Sequence, residues 1–236
     1  MKKSLLFSIV TLLCVLSFNL TALAWHDETH LAVAKTAGYA KWYNAAGPDI
    51  AKIKAGLVEE RNHYSNNQGV GKVTPEQVLA QISRYNDPDD NPGHLYGAII
   101  ASLQAYGQSQ KEGKYSQYHL AYCGHYLGDL SQPLHNAVPS GSKKINHGVN
   151  DGIVEDEVMQ RLDKITSNMY LITLRPDHWE ADLAKEIARI ANLSGDLNDR
   201  LVKEDRNMSR EEAYRQLGHS ASLFKAVLKC LNQKPE

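Results

Sequence analysis

Apolar residues return at three- and four-residue steps over most of this chain, the spacing that lines one face of an α-helix. The clearest case is the last stretch, where Ala213, Leu217, Ser220, Phe224, Val227 and Leu231 fall on one side. The same period predicts helices over Glu28–Tyr43, Pro48–Glu60, Leu95–Glu112, Ser116–Leu130, His147–Thr166, Pro176–Asn192 and Arg210–Leu231. Pro48 and Pro176 suit first-turn positions, and Ser209 followed three residues later by Glu212 makes a capping box. No stretch sustains the two-residue alternation of a half-buried strand. Glycine and proline gather instead in connections such as NNQGVG, NDPDDNPG and VPSGSKK. The expected fold is all-α, a compact multi-helix bundle with no second domain.

One apolar stretch does not belong to that bundle. MKKSLLFSIVTLLCVLSFNLTALAW opens with Lys2-Lys3, runs through an uncharged apolar segment and ends in Ala22-Leu23-Ala24, a small-x-small cleavage signal. A membrane anchor is the competing reading, but the polar Ser17-Phe18-Asn19 break and the Ala-x-Ala end favour cleavage. Residues 1–24 are therefore expected to be a cleaved signal peptide, residues 25–236 the domain, and the protein exported to a periplasm or secreted. Trp25 then becomes the first residue. Cys123 and Cys230 remain after cleavage, and in an oxidising compartment they either pair or stay as two buried thiols.

Composition narrows the partners. The chain of 236 residues is 42% hydrophobic and 22% charged, enough for one substantial core, and its formal net charge is -1. That balance argues against a protein that grips duplex nucleic acid through a broad basic surface. No repeat or like-charge block appears, and the chain is expected to be a monomer without a stable protein partner.

The ten histidines change the picture most. Residues four apart on a helix share a face and can reach one ion. Three such pairs stand out: His125 and Asp129 in HYLGD, His147 and Asp151 in HGVND, and Glu59 and His63 in EERNH. The helix around His125 also carries Leu120, Tyr122, Tyr126, Leu127 and Leu130, so it is expected to be buried, and polar groups in a core need partners. Pro133 should end or kink that helix, bringing His135 close to the first pair but not onto the same ion. Imidazole and carboxylate without thiolate suit Zn²⁺. A freshly cut Trp25 offers an α-amine and a carbonyl oxygen as a chelate, with His30 little more than one turn away. The other histidines, His26, His119, His178 and His219, read as surface or hydrogen-bonded groups.

HYLGDLSQPLH followed by HGVND, with a tryptophan at the cleavage site, resembles the bacterial zinc-dependent phospholipases C and the related fungal and plant single-strand-specific nucleases. The likeness spans most of the domain. It implies an all-helical fold around a cleft holding three zinc ions. One ion would be held by an acid of the second helix, His63, His125 and Asp129; a second by His135, His147 and Asp151. The third would take the Trp25 amine and carbonyl, His30 and a bridging Asp129. The family usually places an aspartate on the second helix, well separated from the histidine. Here Glu59 is preferred, with Glu60 and Asp49 as alternatives and His94 as an outside candidate.

The expected activity is hydrolysis of a phosphate ester by a zinc-activated water, with Asp129 and the second-helix acid, Glu59, in the catalytic role. Phospholipid head-groups are the first substrate class. Single-stranded nucleic acid is the alternative, favoured by Asp151 where the phospholipases generally carry glutamate, with Tyr64, Tyr85, Tyr96 or Tyr122 as stacking platforms. A non-catalytic zinc-binding protein is the third reading. Arg61 is a candidate phosphate clamp.

Overall fold

The structure, a computed structural model, describes residues 25–67, 71–137 and 145–233. The expected signal peptide lies outside them. Among the described residues there are ten α-helices and no strand, in the order α1 (Asp27–Ala37), α2 (Gly47–Ala55), α3 (Leu57–Glu60), α4 (Pro75–Ala80), α5 (Leu95–Lys111), α6 (Gln117–Leu130), α7 (His147–Asp151), α8 (Leu162–Ser167), α9 (Trp179–Glu204) and α10 (Arg210–Gln233). Short 3₁₀ turns occur at Trp42–Asn44, Ile82–Arg84, Pro133–His135 and Val158–Gln160. No described helix is long and apolar enough to cross a membrane.

Helix α6 is the axis of the molecule. It touches α1, α2, α5, α9 and α10, and every residue from Cys123 to Leu130 is buried. A helix apolar on one stripe needs one partner; a helix buried all round needs several. Two glycines let them come close. A Cβ on Gly124 would stand 2.6 Å from the Phe224 ring of α10, and one on Gly128 would stand 2.5 Å from Nδ1 of His30 on α1. Leu120, Cys123, Tyr126, Leu127 and Leu130 join α5, α9 and α10 in the larger core, while Trp25, Val33, Val154, Leu197 and Leu217 belong to a second apolar cluster. Truncating a ring such as Phe224, fully buried here, to alanine would cost about 3–5 kcal/mol.

Several helix boundaries differ from the expectation, each for a local reason. Helix α1 stops at Ala37 because Gly38 takes φ +90°, the left-handed cap position. The helix expected over Pro48–Glu60 divides into α2 and α3 at Gly56, whose φ of +57° and ψ of −131° re-aim the chain. The long helix expected from His147 ends at Asp151. There Asn150 ties the chain to the start of α10 through Asn207 and the Met208 amide, and the Glu155 carboxylate accepts hydrogen bonds from the Glu28 and Thr29 amides, capping α1. Helix α9 begins at Trp179 rather than Pro176 and runs on to Glu204. Helix α4 was not expected, although Thr74 and Gln77 form a reciprocal capping box around Pro75. The Ser209–Glu212 box before α10 is present. Cys123 and Cys230 are buried thiols, not joined to each other.

Candidate metal centre

Around the C-terminal half of α6 the helices converge on polar atoms rather than apolar ones. Three groups of side chains stand close enough to hold an ion: His30, Asp49 and His125; His63, His125 and Asp129; and His135, His147 and Asp151. The i,i+4 spacing places His125 and Asp129 one turn apart on α6, and α7 does the same for His147 and Asp151. His135 arrives through the 3₁₀ turn that Pro133 opens.

The best-defined group is nearly a regular figure. His63 Nδ1, His125 Nε2 and Asp129 Oδ2 are separated by 3.2, 3.0 and 3.4 Å. Four ligands at zinc distances of about 2.0–2.1 Å in a tetrahedron lie about 3.3–3.4 Å from one another, so these three atoms match one face of it. The Asp49 carboxylate oxygens lie 3.8 Å from His63 Nδ1 and 3.7 Å from His125 Nε2, beside this group, and Asp49 itself is grouped with His30 and His125. Glu59 takes a different place. Its Oε1 accepts a hydrogen bond from the Tyr126 hydroxyl at 2.6 Å and lies 3.3 Å from His63 Nε2, the ring nitrogen opposite the group. Glu60 belongs to none of the groups. His94 is committed elsewhere, its two nitrogens bonded to Asp90 and Asn62.

Hydrogen bonds outside the groups fix which nitrogen faces inward. His125 Nδ1 donates to the Ala45 carbonyl at 2.7 Å, and His135 Nδ1 to the His63 carbonyl at 2.6 Å. Both leave Nε2 as the lone-pair atom, the arrangement in which a metal-ligating imidazole is held by its second nitrogen. Gln132 Nε2 donates to Asp151 Oδ1 at 2.6 Å, leaving Oδ2 turned toward His147 Nε2 at 3.4 Å. Asp129 divides its oxygens: Oδ2 serves the His63–His125 pair, while Oδ1 lies 3.5 Å from His30 Nε2 and 3.6 Å from His135 Nδ1.

Seven buried atoms here have no hydrogen-bond partner: both ring nitrogens of His30, Asp49 Oδ1, His63 Nε2, Asp129 Oδ1, His147 Nε2 and Asp151 Oδ2, of which Asp49 Oδ1 is ion-paired with Lys52 and His63 Nε2 lies near Glu59. Leaving one such group unsatisfied costs about 1–3 kcal/mol. Several clustered together, all on metal-ligating residue types, are accounted for by a cation among them. The residues therefore fit the metal site that the histidine spacing suggests.

The electrostatics favour neutral donors at three of the histidines and protons on His63 and Asp151. Burial lowers His125 and His135 far below the ordinary histidine value, and His147 to about 4, so these rings are neutral at pH 7 with free lone pairs. Burial also opposes charge on His63, but hydrogen bonds to Asp129 and Glu59 outweigh it and raise the ring to about 9. Burial lifts Asp129, and lifts Asp151 to about 9. In Asp49 the burial penalty is overcome by His125, His63 and Lys52, and its carboxyl lies far below the usual range. A bound metal competes with the protons these ligands would otherwise carry.

One nearby cation was not singled out from the sequence. Lys52, one turn along α2 from Asp49, places Nζ 2.8 Å from Asp49 Oδ1 with only 13% of its side chain exposed, and its charge also depresses His135 and His147. An i,i+3 Asp–Lys pair on a short helix reads as a solvated surface pair, which is why it passed unnoticed. Arg61 instead bonds Tyr64, Asn91 and the Pro88 carbonyl, none of which belongs to the groups. Tyr96 is buried at 1% exposure, which removes it as a stacking platform. Trp25 is fully buried in the second core cluster, immediately before the helix that carries His30. His26, His119, His178 and His219 lie outside the three groups. A scan of family models finds no match to this chain, and comparisons with curated proteins and with solved structures find none.

Proposed function

We propose that this protein is an exported zinc-dependent phosphoric ester hydrolase that cleaves phospholipids in the manner of a phospholipase C. The observation that carries the reading is Asp129, a fully buried carboxylate whose two oxygens face two different histidine groups, with a third group beside them. Adjacent divalent ions suit displacement at phosphorus, and zinc supplies Lewis acidity together with a bound water whose pKa falls to about 7. Donors of imidazole and carboxylate type without thiolate, at tetrahedral spacing, favour zinc.

The side chains then have separable roles. Asp49, His63, His125 and Asp129 hold one ion. His135, His147 and Asp151 hold a second with three donors, and the side chain of His147 is 32% exposed, so this group faces substrate. His30, Asp129 and the amine and carbonyl of a processed Trp25 hold the third. Glu59 keeps His63 in register through its second nitrogen and lies near enough to steer a water proton. Lys52 neutralises a phosphate oxygen.

A single-strand nuclease is the second reading, and a specific feature favours it. Tyr115, Tyr118 and Tyr122 form a run of ring contacts 6.2–6.4 Å apart from just before α6 into its second turn, and Tyr122 in turn meets the buried Tyr126, which donates to Glu59. Lys41 sits over the Tyr115 ring. Bases stack on such rings.

The deciding experiment gives zinc-loaded protein a chromogenic phosphocholine ester and, separately, single-stranded DNA. Turnover of the ester that a chelator abolishes and added zinc restores is expected. Turnover of DNA alone transfers the assignment to the nuclease. Stoichiometric zinc without turnover of either makes this a metal-holding protein. Intact mass tests the export step, with removal of residues 1–24 expected.

A further inference from the structure

The helix that carries Asp49 and Lys52 toward the metal groups turns its other side outward, and that side is apolar. Ile50 is 63% exposed, Ile53 84%, Leu57 48% and Val58 38%. Every residue from Ile53 to Val58 is exposed. The stretch IAKIKAGLV, residues 50–58, contains no acid, and of its two lysines Lys54 is exposed with the aliphatic side chains while Lys52 turns inward to Asp49. The Gly56 break, with φ +57° and ψ −131°, makes this a projecting tip between two short helices rather than a continuous rod. Scattered exposed aliphatics need no explanation, but four in nine residues on one tip mark an interaction surface.

We propose that this tip docks the protein on the surface of a phospholipid bilayer, presenting the adjacent metal cleft to the head-groups. Three observations select that occupant. The tip is continuous with the site: within one short segment Asp49 and Lys52 face inward while Ile50 and Ile53 face water, and Val58 immediately precedes Glu59. Its chemistry is aliphatic with lysine, the combination that lies in a bilayer interface, with side chains among the acyl chains and ammonium groups at the phosphates. A nucleic-acid strand would instead require aromatic platforms and a denser row of cations, and residues 50–58 hold no aromatic residue. The inference deepens the phospholipase reading and rests on it for the orientation of the cleft, but the docking can be measured without catalysis.

The test compares the zinc-loaded, processed protein with an Ile53→Ser/Leu57→Ser variant. Both positions are solvent-exposed, and circular dichroism checks that the fold is retained. Co-sedimentation with mixed phosphatidylcholine–phosphatidylglycerol vesicles should fall about tenfold or more in the variant. Hydrolysis of a monomeric water-soluble phosphocholine ester should stay unchanged, while the rate on vesicles falls with binding. Equal sedimentation of the two proteins overturns the proposal, because the tip would then not be the contact. Hydrolysis of the monomeric ester by a wild-type protein that fails to sediment also overturns it, leaving the phospholipase reading intact. Tip-dependent sedimentation without hydrolysis of any phosphate ester supports the docking surface and removes the phospholipase. Concentration-dependent dimers lost in the variant, with no vesicle binding, overturn it in favour of self-association.

Discussion

Two halves of the candidate centre are built differently. The His63–His125–Asp129 group and the Asp49 beside it draw on α2, the segment after α3 and α6, and each of these side chains has a polar neighbour. The His135–His147–Asp151 group draws on a three-residue 3₁₀ turn and a five-residue helix, and one of its donors is a third exposed. A long buried helix supplies His125 and Asp129 and packs against the elements that bring Asp49 and His63; short elements supply His135, His147 and Asp151 and leave His147 partly open. A tightly held ion beside an accessible one is what displacement at phosphorus requires. The halves are also joined through one residue, since the His63 ring belongs to the first group while its carbonyl accepts the hydrogen bond that orients His135.

The largest effect should come from Asp129, whose oxygens face the His63–His125 pair and His30. Asp129→Asn keeps the shape but withdraws the charge from both oxygens, so about two of three expected zinc ions should be lost together with turnover. Metal counting by mass spectrometry on the purified variant, beside its rate on the phosphocholine ester, measures this. Full zinc with full activity would show that Asp129 bridges nothing, and the contrast between a tight and an open half would lose its pivot.

Next in size is the acid that completes the tight half. Asp49→Asn should remove about one ion, whereas Glu59→Gln should keep the count and weaken affinity by about 10–100-fold, the usual consequence of losing a partner to a ligating histidine. A titration with a competing chelator separates the two. Zinc lost from Glu59→Gln and retained in Asp49→Asn would exchange their roles.

That pair also marks where the sequence stops being legible. The all-helical fold could be read from periodicity because α5, α6 and α10 each keep an apolar face for several turns. His125 and Asp129 could be placed together because the i,i+4 rule holds within a regular helix and the buried surroundings of α6 demanded partners, whereas His63 was brought to them only by what the family resemblance implies. Asp49 was harder to assign because the apolar pattern runs unbroken from Pro48 to Glu60, and nothing local shows that Gly56 takes a left-handed φ. With the chain re-aimed there, both acids reach His63, Glu59 at Nε2 and Asp49 at Nδ1. The same limitation hid the end of α7, which depends on Asn150 reaching Asn207 and Met208, contacts between residues more than fifty positions apart. Helix α4 is a different case. Its capping box, Thr74 to Gln77 with Pro75 between, was present but is followed by too short an apolar pattern to register.

A smaller effect is expected in the open half alone. Gln132→Leu removes the donor that holds Asp151 Oδ1 at 2.6 Å while preserving bulk. The second ion should then bind about 10–100-fold more weakly, while the group around His63 and His125, which Gln132 does not contact through its side chain amide, keeps its metal. Stepwise chelation monitored by activity and zinc content should show one ion released early. Uniform weakening of all ions would mean that the halves behave as one rigid unit.

The finest distinction lies between two cations on opposite sides of Glu59. Lys52 is nearly buried and paired with Asp49, and under the phosphate-ester proposal its ammonium is the candidate partner for a phosphate oxygen. Arg61 is held away by Tyr64, Asn91 and Pro88. A charge-assisted hydrogen bond contributes about 1.5–3 kcal/mol, so Lys52→Met should raise KM for the phosphocholine ester by about tenfold or more while the zinc count stays constant. Arg61→Met should leave kcat and KM within about twofold, the range of a substitution outside the site. If Arg61 proved to carry the substrate affinity and Lys52 none, the substrate would enter from the α3 side of Glu59, and the open half would not be the face that receives it.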